Sequence, residues 1–314
     1  MMSVRIALAG IGKIAGDQHV PSIAASPDWE LAATVSRHGR IDGVEAFTDI
    51  ERLLACRPDI EVVSLCMPPA PRFEYAAAAL RAGRHVMLEK PPGATLAECV
   101  ALEALAREKG VSLYATWHSR EAAQVEKAGA WLRDKRLVSA TIIWKEDVRR
   151  WHPGQDWIWR AGGLGVFDPG VNALSILTAI LPEPVHLKAA TLEVPENRET
   201  PIAASLDFAH PGGAEVTAVF DWRQQGDQTW TIDVETDAGR MRLADGGATL
   251  TIDGRKQADA DGDGNALQGE YPRLYARMAK LVRSGGMDMD LSPMIHVADA
   301  FLLGRRVTVE PFDE

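Results

Sequence analysis

The run Val4-Arg5-Ile6-Ala7-Leu8-Ala9, followed at once by Gly10-Ile11-Gly12-Lys13-Ile14-Ala15, limits the folds open to this chain more than any other feature. A short, mostly apolar run without alternation describes a strand buried on both faces, as in a parallel sheet. Gly10 permits a tight turn after it. Gly12 lets backbone approach a phosphate closely, and Ala15 lets a helix pack against the strand. A pyrophosphate would rest on that helix's N-terminus. Lys13 and Ile14 lie in the same turn and join Gly10 and Gly12 as candidate dinucleotide-binding residues.

The pattern then repeats. Leu31–Val35 reads as the next strand and ends in Ser36-Arg37, where an NAD-specific site would carry an acidic residue for the ribose 2′-hydroxyl. A hydroxyl followed by a guanidinium suits a 2′-phosphate, so NADP is the expected cofactor, with NAD tolerated. Ile60–Met67 is a strand closed by Pro68-Pro69. A helix runs over Phe73–Ala82 to Gly83, His85–Leu88 is a strand, and Leu96–Lys109 is a helix closed by Gly110. Val111–Ala115 is a further strand candidate. Strand and helix alternate through residues 1–119, which predicts a doubly wound parallel sheet. Such sheets bind ligands at the carboxyl ends of their strands, where Pro68, Glu89 and Lys90 fall. Pro91 and Pro92 then turn the chain out of the sheet.

Residues 120–314 read differently. A helix over Glu121–Lys135 precedes short strands near Ala140–Asp147, His186–Val194, Ile202–Ala209, Val216–Trp222 and Thr229–Thr236, with a Gly-punctuated pair near Met241 and Leu250. Helices near Tyr271–Ser284 and Ser292–Gly304 close the chain. This predicts an α+β domain on a large, mostly antiparallel open sheet. Its chemistry-bearing stretch is Gly162 to Asn172. Asp168 and Asn172 are four apart and share a helix face, although Asp168-Pro169 is also a common helix-capping pair. Glu146, Trp151 and His152, with His118 upstream, supply polar groups and an aromatic face of the kind that binds sugar hydroxyls and ring C–H bonds. A packed core histidine is the alternative reading of His152, weakened by its polar, Pro- and Trp-containing loop. Trp230 lines either the same pocket or a subunit interface.

The net charge of −10, without any basic run, excludes a nucleic-acid surface, and no segment is apolar enough for a membrane span. Cys56, Cys66 and Cys99 are too few and too scattered for a zinc site, and suit a reducing cytoplasm. Asp259-Ala-Asp261-Gly-Asp263-Gly264 followed by Glu270 has calcium-loop spacing. No helix precedes it, so it reads as an acidic loop and no metal is expected.

Gly10-x-Gly12, Gly83-Arg84-His85-Val86 leading into Glu89-Lys90-Pro91, and the Asp168 segment resemble the glucose–fructose oxidoreductase, inositol dehydrogenase and rhizopine-catabolism family, Gfo/Idh/MocA. The resemblance implies a Rossmann domain followed by an α+β substrate domain. It gives the lysine at position 90 a place at the reacting hydroxyl and the nicotinamide. Two positions depart from the family. Arg72 stands where a His is common, and Asn172 replaces the His that ends the Asp-x-Gly-x-His segment, which leaves Asp168 as the better general base. Asp168, Asn172, Glu146, Trp151 and His152 together resemble the family's aldose 1-dehydrogenases, those acting on L-arabinose and D-galactose. The expectation is a homodimeric enzyme oxidising an anomeric hydroxyl to the lactone, with Asp168, Lys90 and Asn172 catalytic. Oxidation at another ring carbon and a sensor without turnover are the alternatives.

Overall fold

In the computed structural model, which describes residues 3–258 and 266–313, the apolar runs of the first half become parallel strands. They are β1 (Val4–Ala9), β2 (Trp29–Val35), β3 (Glu45–Phe47), β4 (Val62–Leu65), β5 (His85–Leu88) and β6 (Leu113–Ala115). Between them lie a π turn at Ala15–His19 continuing into α1 (Val20–Ala24), then α2 (Ile50–Cys56), α3 (Arg72–Arg81) and α4 (Leu96–Lys109). The Asp49 and Thr95 side chains cap α2 and α4 by accepting from the backbone N–H three residues on. Among the described residues the strand order is β3-β2-β1-β4-β5-β6, with every pairing parallel. The order reverses beside β1, so the crevice outside Ala9 and Leu65 is the topological switch point where such sheets take ligands.

The second half supplies α5 (Val125–Leu132), β7 (Leu137–Lys145), α6 (Val148–Trp151), α7 (Phe167–Ile180) and β8 (His186–Pro195). Strands β9 (Ala203–Ala209), β10 (Glu215–Asp221), β11 (Thr229–Thr236), β12 (Gly239–Ala244), β13 (Thr249–Ile252) and β14 (Arg255–Lys256) follow. The chain closes with α8 (Ala266–Ser284), α9 (Ser292–Leu303) and β15 (Arg305–Val309). The sheet order is β14-β13-β12-β11-β7-β10-β9-β8-β15. It is mixed rather than purely antiparallel, because β7 runs parallel to β10 and β15 parallel to β8. Ala140, Ile142, Trp144, Val216, Ala218, Phe220, Ile232 and Val234 alternate onto one buried face, the side of α5, α7 and α9. Ile143, Thr217, Val219 and Asp221 lie on the other face and are only half-buried.

The compact units do not follow a single cut at 119/120. One comprises Met1–His118 with Leu267–Leu291, the other Ser119–Ala266 with Ser292–Glu314. The periodicity of α8 explains its membership of the first. Tyr271, Leu274, Tyr275 and Met278 form one apolar stripe, packed with Ile6, Leu8, Ile23 and Met87 into the core on one side of the parallel sheet. Helices α2, α3 and α4 build the core on the other side, with Leu53, Leu80, Leu102 and Ala106.

Candidate active site

In the first unit the dinucleotide loop has the shape its sequence implies. Gly10 has φ +88°, and a Cβ there would meet the Met67 backbone nitrogen at 2.5 Å, so only glycine fits between β1 and the turn after β4. A Cβ at Gly12 would meet nothing within 4 Å. Open space at the second glycine is what a pyrophosphate approaching the backbone needs, so these residues fit a dinucleotide. Lys13 and Ile14 are exposed beside it, Lys13 paired with Asp17. Beyond β2, the Ser36 hydroxyl accepts from the Gly39 N–H at 3.1 Å, which tightens a turn that exposes Arg37, His38 and Arg40.

Lys90 follows Glu89 at the end of β5, and the Lys90–Pro91 peptide is cis. Glu89 is buried with all its oxygens engaged. Oε1 accepts from the Tyr271 hydroxyl at 2.7 Å and lies 3.1 Å from His19 Nε2, while Oε2 accepts from the Lys90 N–H at 2.8 Å. Burial works to raise the Glu89 pKa, but His19, His118 and Tyr271 together hold it down at about 2. Arg72 is buried as well. Its guanidinium donates to the carbonyls of Met67, Glu89 and Pro91, so it latches the turn after β4, which contains Pro68, to the Glu-Lys-Pro turn. The residue standing where the family often has His is therefore a buried backbone clamp. His118 also belongs to this unit. Its Nδ1 lies 2.7 Å from Glu270, and its ring stacks on Tyr271. Glu270, the last residue of the calcium-like spacing, is thus engaged by His118, while Asp259, Asp261 and Asp263 lie outside the described residues.

In the second unit the structure brings Glu146, Trp151, His152, Asp168 and Trp230 together. Glu146 directly follows β7 and is buried. Its carboxylate accepts from the indole N–H of Trp230 at 2.9 Å and of Trp222 at 3.3 Å. Trp151 packs on Trp230 with ring centroids 5.5 Å apart, and its indole N–H points to Gln228. His152 Nε2 lies 3.8 Å from Glu146 and 3.7 Å from Asp168. The histidine is therefore flanked by two buried carboxylates, an arrangement an apolar core histidine lacks. Asp168 is buried in the first turn of α7, whose N-cap is Val166, so it is a helix residue and not the cap. The glycines before it allow the approach. Gly165 has φ +54°, and a Cβ there would strike the Pro201 carbonyl at 2.4 Å. Asn172 follows one turn along the same helix, half-buried.

Sequence reasoning missed His19, Tyr271, Tyr275, Trp222 and the clamp made by Arg72. Only His19, four residues beyond a glycine fingerprint, stood close enough to a recognised motif to be suspected. Trp222 is set by a contact more than fifty residues distant, Tyr271 and Tyr275 by a helix returning from the C-terminal third, and Arg72 by two turns that flank its own helix.

A glycine-loop Rossmann unit and an open-sheet unit carrying a half-buried His between a buried Asp and a buried Glu define a dinucleotide-dependent oxidoreductase architecture. Residues 4–116 match the oxidoreductase family with an NAD-binding Rossmann fold, GFO_IDH_MocA. The chain is 41% identical to a galactose 1-dehydrogenase of Pseudomonas fluorescens over 99% of both chains. It therefore belongs to the Gfo/Idh/MocA family. A crystal structure of a D-galactose-1-dehydrogenase from Rhizobium etli matches with TM-score 0.95 and 55% identity, covering 100% of this chain and 99% of that one. A 3-ketoreductase from Actinomadura kijaniata, in complex with TDP-benzene and NADP, shares the fold at TM-score 0.82 and 20% identity, covering 98% and 99%.

Proposed function

We propose that this protein is an NAD(P)-dependent aldose 1-dehydrogenase that oxidises the anomeric hydroxyl of a D-galactose or L-arabinose type pyranose to the lactone. One observation carries the reading. A buried Asp168 lies 3.7 Å from His152, beside a Glu146 that grips two indoles, in a chain similar over its whole length to galactose 1-dehydrogenases. The two sugars share one ring configuration and differ in the C5 substituent, so one set of hydroxyl-binding groups serves both.

The Asp168 carboxylate takes the proton of the C1 hydroxyl as the C1–O bond becomes a carbonyl. Lys90 supplies positive charge for the oxyanion that develops on the same oxygen. Asn172, which hydrogen-bonds but does not act as a base, orients a neighbouring hydroxyl. When bound, the nicotinamide supplies the acceptor for the C1 hydride and its electron pair. Trp151 and Trp230 present an indole face for the sugar's C–H surface, and Glu146 and His152 provide polar contacts for its hydroxyls.

Exposed Arg37, with His38 and Arg40 beside it and no carboxylate at the end of β2, favours NADP over NAD. The half-buried face of the mixed sheet, with Ile143 and Val219 among threonines and acids, suits a homodimer, which sedimentation as a monomer would rule out. Three free cysteines fit a cytoplasmic enzyme.

A sugar panel read by reduced cofactor tests the activity, with D-galactose and L-arabinose expected at the top and NADP above NAD. In the same assay Asp168→Asn, which keeps size and loses basicity, should fold, bind cofactor and lose on the order of 10²–10⁴-fold in kcat. Near-native turnover in Asp168→Asn would remove it as the base.

A further inference from the structure

The helix beneath the glycine loop is not regular. It opens with the π turn Ala15–His19, and a π turn inserts an extra residue that re-aims the side chains around it, a feature frequent at functional sites. The side chain it delivers is His19, fully buried. Nε2 reaches Glu89 at 3.1 Å and Nδ1 reaches the Tyr275 hydroxyl at 2.7 Å, with Tyr271 edge-on at 5.0 Å between centroids. One imidazole therefore joins the helix that receives the dinucleotide phosphate to the carboxylate that grips the Lys90 N–H. Stability alone does not account for it, because an apolar set of similar volume usually serves a core as well as a buried ion pair does.

We propose that His19 is a positioning residue for hydride transfer, acting through Glu89 to fix the backbone that launches Lys90 and coupling that placement to the glycine loop. The inference rests on the reading of Lys90 given above. Burial works to lower the His19 pKa, but Cys66, Tyr275 and the Glu89 carboxylate outweigh it and hold it well above the ordinary value. The ring is then an imidazolium, with both N–H groups donating, one to Glu89 and one to Tyr275. Tyr271, Tyr275, Cys66, His118 and Glu270 are the other titratable groups around this pair, and burial raises the pKa of both tyrosines, so they stay neutral donors or acceptors.

The test compares His19→Leu and His19→Gln in the full-length enzyme, Gln keeping a donor toward Glu89 without charge. A lysine misplaced by a fraction of an ångström costs turnover rather than sugar affinity. His19→Leu should lower kcat by about 10- to 100-fold with sugar KM changed less than about threefold, and His19→Gln should recover part of the loss. The primary isotope effect with C1-deuterated sugar should grow in both, because hydride transfer becomes more fully rate-limiting. Folded His19→Leu and Glu89→Gln that both keep kcat within about twofold of wild type, with an unchanged isotope effect, would overturn the proposal. Lys90→Met separates the two claims. If it is inactive while the His19 variants turn over normally, only the coupling fails; if it turns over like wild type, the role of Lys90 fails and the coupling with it.

Discussion

Each unit buries one glutamate at a strand end, and the two are satisfied by opposite chemistry. Glu89, after β5, is held by an imidazole, a tyrosine hydroxyl and the next backbone N–H. Glu146, after β7, is held by two indoles, with His152 farther off at 3.8 Å. Indole N–H groups donate and never titrate, so neither indole that grips Glu146 can change charge, and the carboxylate doubles as the anchor of an aromatic wall. The Glu89 set is an ion pair whose two members can both change charge. A carboxylate that orients a wall needs only donors, whereas Glu89, on the role proposed for Lys90, gains from a charged partner that keeps it ionised.

The largest effect expected from this contrast follows removal of the glutamate in the first unit. Glu89→Leu strands the buried His19 imidazolium and leaves the Tyr271 hydroxyl and the Lys90 N–H without their acceptor. Breaking a buried pair from one side costs about 3–5 kcal/mol, with His19 deprotonation pulling the figure toward the low end. A thermal unfolding curve displaced far downward checks this. A displacement no larger than for a surface variant would mean the pair is solvated.

In the second unit the corresponding change should cost less. Glu146→Gln keeps one amide oxygen as acceptor and turns its amide N–H₂ toward a second indole that can only donate. One buried N–H loses its partner, worth about 1–3 kcal/mol. The same variant should raise sugar KM, because Trp230 and through it Trp151 lose their orientation, with kcat moved less. Equal losses of stability in Glu89→Leu and Glu146→Gln would erase the distinction between the two sites.

The sequence made the first of these regions legible in outline and the second in membership. The glycine turn, the parallel order and the Glu89-Lys90-Pro91 strand end follow from local rules, a strand with no alternation and prolines that stop it. The grouping of Glu146, Trp151 and His152 was readable because these residue types lie within seven positions of one another, and the family resemblance added Asp168. What joins them was not. Trp222 reads as an end-of-strand core residue, and Tyr271 and Tyr275 read as one apolar stripe of a helix near the C-terminus. Only the return of α8 to the parallel sheet turns their hydroxyls toward Glu89 and His19. Arg72 was similarly opaque, since nothing local distinguishes a surface arginine from one whose guanidinium bridges three carbonyls of two turns. The domain boundary failed to show the return for the same reason: an amphipathic helix states that it packs, and the partner sheet is decided by tertiary contacts.

The smallest effect expected is the pH dependence of the contrast. His19 has its folded pKa raised, so its stabilisation is fully present below about 6.5, its unfolded value, and is lost as pH rises through the folded value. Glu89 has its folded pKa lowered to about 2, so its contribution is present above its unfolded value and fades as pH falls from there toward 2. On the alkaline side one proton gives a slope of about 1.4 kcal/mol per pH unit at most. Burial pushes Tyr275 up to about 12 and Tyr271 well above its ordinary value. Thermal unfolding of wild type between neutral and alkaline pH should therefore carry a falling limb that His19→Gln flattens. Cys66, which faces the same pair, is controlled by Cys66→Ala, and that variant should retain the limb. Trp230→Phe, which removes a donor from Glu146 and no titrating group, should shift the whole curve down without changing its slope. A limb that survives in His19→Gln and vanishes in Cys66→Ala would assign the alkaline transition to the thiol and leave Glu89 held by a neutral imidazole, much as Glu146 is held by indoles.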